Sequence, residues 1–338
     1  MEARFVTEGA RFTRPGDPLF RRVPLDHGVE IAVVGVAVRF ESNSEAVVRA
    51  VTQWFQSGRA IAPTQPPAGE MPVRVTVVVH GANEGTAAGG QMTYRMPDRH
   101  RVFVHTAGSF GVADTARGDA IAYVTEALVE DEARFMFGVV EMLTLVLVTA
   151  RDRYPIHAAM LYKDGVSLLL AAPSGRGKST VAYQAHLDGW HVVADDGVYI
   201  QTSPALRLWG RPGRLHLPVD AVRWFPQLAD RHPEKLANGK VKILIEVRDG
   251  AAFSPTDGPV GVCLLERGGR EASLERVSSD DLRAALLADL ATANDLYGDA
   301  GEAAVARLAT GGGWRVRIAT NPSDVIPVLD RIRHEIAA

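Results

Sequence analysis

Apolar and polar positions change their period several times along these 338 residues. Over residues 29–40 apolar side chains alternate with others, the two-residue period of a half-buried strand. Ser44 then reads as an N-cap. Val47, Val48, Val51, Trp54 and Phe55 follow at helical spacing, so residues 45–55 are expected to form an amphipathic helix. Four prolines within 62–72 mark a loop, and residues 73–80, 92–96 and 101–105 read as strands, with a further strand over 120–128. Residues 1–28 are polar and punctuated by proline and glycine, an irregular arm. The pattern predicts a small α+β domain over residues 1–130. The most apolar stretch, 135–150, contains Glu141 and falls short of the ~20 residues of a membrane-spanning helix. It predicts a buried helix over about 130–151 that joins the two parts and packs on the second.

The second part, residues 131–338, carries the stronger local signals. Apolar runs at 158–162 and 166–172 flank Asp164-Gly165, a turn pair that predicts an antiparallel hairpin with His157 at its start. The second run leads into Pro173-Ser174-Gly175-Arg176-Gly177-Lys178-Ser179-Thr180 and a helix-competent stretch. Residues 190–194 read as another buried strand, ending in Asp195-Asp196. Further on, strand character appears at 197–201, 243–247, 260–266 and 314–319. Residues 218–235 are expected to be partly helical, with Trp224 and Phe225 inside. Ser279 is the expected cap of a helix carrying Leu282, Leu286, Leu287 and Leu290. A last helix is expected from Ser323, with Ile326, Leu329, Ile332 and Ile336 on one face.

Strand, glycine-containing turn, Lys-Ser-Thr and helix, in that order, make a phosphate-binding loop. Glycines let successive amides converge on an oxyanion, and the helix N-terminus adds the positive end of its dipole. Ser174, Gly175, Arg176, Gly177, Lys178, Ser179 and Thr180 are therefore the expected nucleotide-phosphate ligands. Lys178 would reach the terminal phosphates and Ser179 would offer its hydroxyl to Mg²⁺. Ala172 stands where the loop pattern has its first glycine. Carboxylates at the end of a neighbouring strand are where a phosphotransferase holds its metal and its base. Lys240 and Lys242 share one side of an emerging strand, and Lys240 is the candidate phosphate ligand of the two. His80, His100 and His105 lack metal-ligand spacing.

His157, the segment Ser174-Gly175-Arg176-Gly177-Lys178-Ser179 and the segment His191-Val192-Val193-Ala194-Asp195-Asp196 together resemble the catalytic domain of HPr kinase/phosphorylase. They are similar also to HPr-kinase-like peptide kinases of biosynthetic clusters. The resemblance is specific over about residues 155–200 and thins towards 270. It implies an α/β fold: a P-loop domain of the HPr kinase and phosphoenolpyruvate carboxykinase type, here preceded by the small α+β domain. It also implies ATP and Mg²⁺ as cofactors, Asp196 as the acid/base, His157 as its support, Lys178 as a catalytic cation, and Asp195 with Ser179 at the metal. The chain departs from that family after Asp196, where residues 208–216 replace the expected Glu-Ile-Arg-Gly-Leu-Gly-like segment.

Composition narrows the class. Apolar residues at 46%, charged residues at 23% and a net charge of −3 fit a soluble globular protein. They give no electrostatic case for nucleic acid or a membrane surface. The single cysteine, Cys263, excludes an intrachain disulfide and suits a reducing cytoplasm. Residues 1–5 show no basic and apolar signal segment. Two classes remain. One is a kinase passing the γ-phosphoryl group to a hydroxyl on a peptide, a protein or a small hydroxylated metabolite. The other is a nucleotide-binding switch or ATPase. The paired aspartates favour the kinase, with the N-terminal domain recognising substrate or partner; the resemblance implies a homo-oligomer as one possible assembly.

Overall fold

The structure, a computed structural model, describes residues 23–56, 73–81, 90–210, 214–236, 239–247, 258–268, 271–290 and 294–338. Residues 1–22 of the arm expected over 1–28, the loop over 62–72 and the turn residues 237–238 lie outside them; the end of the expected arm, His27 and Gly28, is instead strand. The protein is a mixed α/β molecule, and among the described residues its strands form four sheets.

The first sheet has seven strands. His27–Val33 and Val36–Ser42 form a hairpin, so the single strand expected over 29–40 is corrected to two. The turn between them is Val34-Gly35, with φ of 42° and 78°. A β-branched residue in the left-handed region gives no sequence signal for a turn. Val36–Ser42 continues through the helix Glu45–Gln56 to the parallel strand Val73–His80, a crossover unit. Beyond it lie Asp119–Thr125, Ser109–Asp114, Arg101–Thr106 and Thr93–Arg95. The strand Ser109–Asp114 was not visible in the sequence pattern. The strand expected over 120–128 ends at Thr125, whose hydroxyl accepts from Leu128 N at 3.3 Å and caps a short helix, Glu126–Glu130.

The apolar helix is in fact a relay: Glu132–Phe135, a π-helical turn Met136–Glu141 and Met142–Thr149. Its packing also corrects the expectation. Phe135, Met136, Val139, Val140, Leu143 and Leu147 pack with the valines of the first sheet, joined from the second half by Tyr199 and Trp209. A helix apolar on every side covers whichever sheet is adjacent, and its sequence does not say which.

The second large sheet runs His191–Ala194, Ala158–Lys163, Val166–Ala171, Val260–Arg267, Gly313–Ile318, Ser273–Val277. Asp164-Gly165 turns the first hairpin, as its sequence predicts, with φ of 49° and 85°. Val166–Ala171 is central, buried at every position, antiparallel to one neighbour and parallel to Val260–Arg267. The helices Lys178–Leu187 and Ile326–Ala337 contribute to the core on one side of it. Leu282 and Leu286 of Ser279–Leu290 and Val305 of Asn294–Ala309 contribute to the other. Asn294–Ala309 was not anticipated. The cap of Ser279–Leu290 is Ser278, whose hydroxyl accepts from Asp281 N at 3.1 Å, one residue before the expected Ser279. Residues 218–235 hold two short 3₁₀ turns, Val219–Arg223 and Pro226–Leu228, with Phe225 buried.

Two small sheets complete the second half: Arg207–Gly210 with Val198–Gln201 and Tyr154–Ile156, and Arg214–Pro218 with Val241–Glu246 and Glu234–Lys235. Trp209 and Tyr199 join the core of the first half. A methyl group at Gly35 would lie 2.1 Å from a Trp209 ring atom, so only glycine fits that turn. Buried Arg153 donates to Val34 O at 2.8 Å and stacks 4.9 Å from the Trp209 ring centre. No helix among the described residues is long and apolar enough to cross a membrane.

Candidate active site

Val166–Ala171 delivers the chain to the loop. Arg176 N donates to Pro173 O at 3.3 Å, and Gly175 and Gly177 take φ of 80° and 104°. These are left-handed values that glycine adopts without a Cβ penalty. The helix Lys178–Leu187 begins directly after Gly177, and no side chain caps it. Its first-turn amides therefore keep their donor capacity for an anion. Ser174, Gly175 and Arg176 are exposed at the tip, Gly177 and Ser179 are half-buried, and Thr180 is buried.

Lys178 is 5% exposed. Its Nζ donates to Ala172 O at 2.5 Å and to His157 Nε2 at 2.8 Å. An ammonium group only donates, so Nε2 is the acceptor and the ring proton belongs on Nδ1. That nitrogen lies 3.1 Å from Asp196 Oδ1 and 3.3 Å from Asp196 O. Lys178, His157 and Asp196 are thus one continuous chain of polar contacts, drawn from the start of a helix, a strand junction and a strand end. The Asp196 side chain is 70% exposed, while Asp195 beside it is buried. Asp195 Oδ2 accepts from His216 N at 2.8 Å, with His216 Nδ1 3.7 Å away, and its Oδ1 is buried without a hydrogen-bond partner.

Lys240 Nζ reaches Ser174 Oγ at 3.2 Å, bringing a second cation to the loop from Val241–Glu246's leading end. Two residues near the site were missed by sequence reasoning. His216 lies in an unremarkable run of alternating residues, and nothing there marks it. Arg267 lies at the carboxyl end of the strand parallel to the loop-feeding one; the position, rather than any motif, is the usable signal.

No protein-family model and no curated protein matches the chain. Among solved structures it is similar to the HPr(Ser) kinase/phosphatase from Coxiella burnetii, at 11% identity and a TM-score of 0.28. That match spans 54% of this chain and 99% of the other. A likeness of that size decides nothing about function.

Proposed function

We propose that this chain is a kinase that uses ATP and Mg²⁺ to phosphorylate a hydroxyl, with a serine of a peptide or protein as the acceptor. The observation that carries the reading is the Lys178–His157–Asp196 chain at the mouth of a strand–loop–helix unit. Mg²⁺-bound ATP would supply the transferable phosphoryl group. The orphaned, buried Oδ1 of Asp195 fits a cation, since an unpaired buried carboxylate oxygen is costly without one. Ser179 is the second candidate metal group.

The loop amides and Lys178 bind and orient phosphate oxygens, which is most of what phosphoryl transfer requires of a protein. His157 donates from Nδ1 to Asp196 Oδ1 and holds that carboxylate in place. The second oxygen of Asp196, on a side chain open to solvent, accepts the proton of the attacking hydroxyl. The exposure of Asp196 favours transfer over a nucleotide switch, because a carboxylate that only ordered a metal would not need to face an acceptor.

The test pairs ATP affinity with phosphoryl transfer to a serine-peptide library. Asp196→Asn is expected to keep ATP affinity while transfer falls by ~10²–10⁴-fold, the loss typical of a general base. Lys178→Ala is expected to weaken ATP binding itself. Wild-type transfer by Asp196→Asn would remove the base and return the site to the switch reading. A joint loss of affinity and transfer would make Asp196 a metal holder.

A further inference from the structure

A third cation stands at the loop. A methyl group built at Gly177 would lie 3.6 Å from Arg267 Nε and 3.7 Å from its Nη2, so the guanidinium rests against the last residue before the helix. Arg267 comes from the end of Val260–Arg267, and the following backbone is tied down: Gly268 N donates to Ile318 O at 3.4 Å. The adjacent carboxylate does not neutralise it. Glu266 is engaged by Arg315 Nε at 2.8 Å and Arg317 Nε at 3.7 Å. Among the described residues the Arg267 side chain makes no hydrogen bond or ion pair, and the residue is exposed. An arginine held on a strand end against an anion-binding loop, with its donors unused, is placed for a ligand that brings its own negative charge.

Resting on the reading of the loop as a nucleotide site, we propose that Arg267 is a phosphate-binding residue that makes the site selective for a nucleoside polyphosphate. Lys178 and the helix amides serve one anionic centre. Lys240 meets the loop at Ser174 and Arg267 meets it at Gly177, so cations from three separate elements bracket it. A triphosphate tail carries charged oxygens on three phosphorus centres and so can pair with several cations at once. The planar guanidinium offers two parallel donors to phosphate oxygens, which lysine lacks.

Binding of ATP and of AMP to the full chain tests this, alongside thermal unfolding without and with ATP. Arg267→Gln is expected to weaken ATP binding about tenfold, the scale of one charge-assisted hydrogen bond, and to leave AMP binding unchanged. The unfolding midpoint without nucleotide should stay at the wild-type value while the ATP-induced rise shrinks, which a purely structural arginine would not produce. Arg267→Lys should recover part of the ATP affinity. ATP affinity within twofold of wild type in Arg267→Gln, with Lys178→Ala defective, overturns the role of Arg267 and leaves the nucleotide site standing. An equal loss for ATP and AMP overturns the polyphosphate selectivity. A wild-type chain that takes up no ATP overturns both.

Discussion

The two halves of the molecule bury polar groups in different ways. In the first, each buried polar side chain among the described residues has a partner close at hand. Glu141 accepts from Trp54 Nε1 at 2.5 Å, Ser109 Oγ accepts from Thr125 N at 3.0 Å, and Thr106 donates to Gly90 O at 2.9 Å. In the second half, buried polar atoms are left open: Ser167 Oγ, Trp190 Nε1 and Asp195 Oδ1 among them. Every such atom among the described residues lies beyond residue 160. Leaving a buried polar atom unpaired costs about 1–3 kcal/mol, so a chain tolerates it where something else is gained. The first sheet and the helix relay pair what they bury, and of the open atoms in the second half Asp195 Oδ1 is the one beside Asp196.

The comparison breaks first at the junction, because Trp209 belongs by sequence to the second half and by packing to the first. Its ring is 1% exposed, its Nε1 donates to Gln201 Oε1 at 2.7 Å, and the Val34-Gly35 turn and Arg153 close over it. Trp209→Ala is expected to cost about 3–5 kcal/mol in denaturant unfolding, as large aromatic truncations in a closed core do. It would also leave Arg153 without its stacking partner. A loss under about 1 kcal/mol would show that the halves are joined elsewhere. By the same packing, a fragment beginning at residue 130 would retain Phe135, Leu143 and Leu147 without the sheet that covers them. Such a fragment is expected to be insoluble, so a cut there cannot isolate the second half.

A smaller effect sharpens the contrast inside the second half. His157 bridges Lys178 and Asp196 without standing where the phosphoryl group would be cradled. His157→Ala should therefore lower transfer by about tenfold, well short of the ~10²–10⁴-fold loss of a base, with ATP affinity close to wild type. A loss as deep as that of Asp196→Asn would make the imidazole itself the proton acceptor.

Legibility does not follow that division. The Asp164-Gly165 hairpin, the loop and the strand carrying Asp195 and Asp196 could be placed from sequence because each is fixed by neighbours in the chain: a turn pair, glycines at forced φ, a strand's apolar run. Lys240 is also among the expected phosphate ligands, but its contact with Ser174 and the approach of Arg267 could not be placed. Lys240 meets Ser174 across 66 positions, and Arg267 reaches Gly177 from a strand whose place beside Val166–Ala171 is a matter of sheet topology. The Val34-Gly35 turn was hidden for a different reason. Its glycine is demanded by a tryptophan ring far along the chain, and its valine contradicts every local turn preference.

The gentlest probe of whether the halves unfold together is Cys263. It sits on Val260–Arg267 opposite Leu170, fully buried, and burial pushes its thiol up from the usual 9.0 to about 12. The thiolate is the reactive form, so a thiol reagent should leave the native protein unlabelled at pH 7–9 and react only through unfolded molecules. The sign of the linkage follows from the raised value. Below pH 9 the thiol is protonated in both states and its contribution is fully present. As the pH climbs from 9 towards 12, the unfolded chain loses the proton that the folded chain keeps, and stability falls. Labelling of Cys263 therefore reports opening of the second core alone. If Trp209→Ala speeds that labelling in proportion to its loss of global stability, the two cores form one cooperative unit. If labelling stays at the wild-type rate while the first half melts, the second half stands by itself, and the contrast between paired and unpaired buried groups becomes a contrast between two separately folding parts.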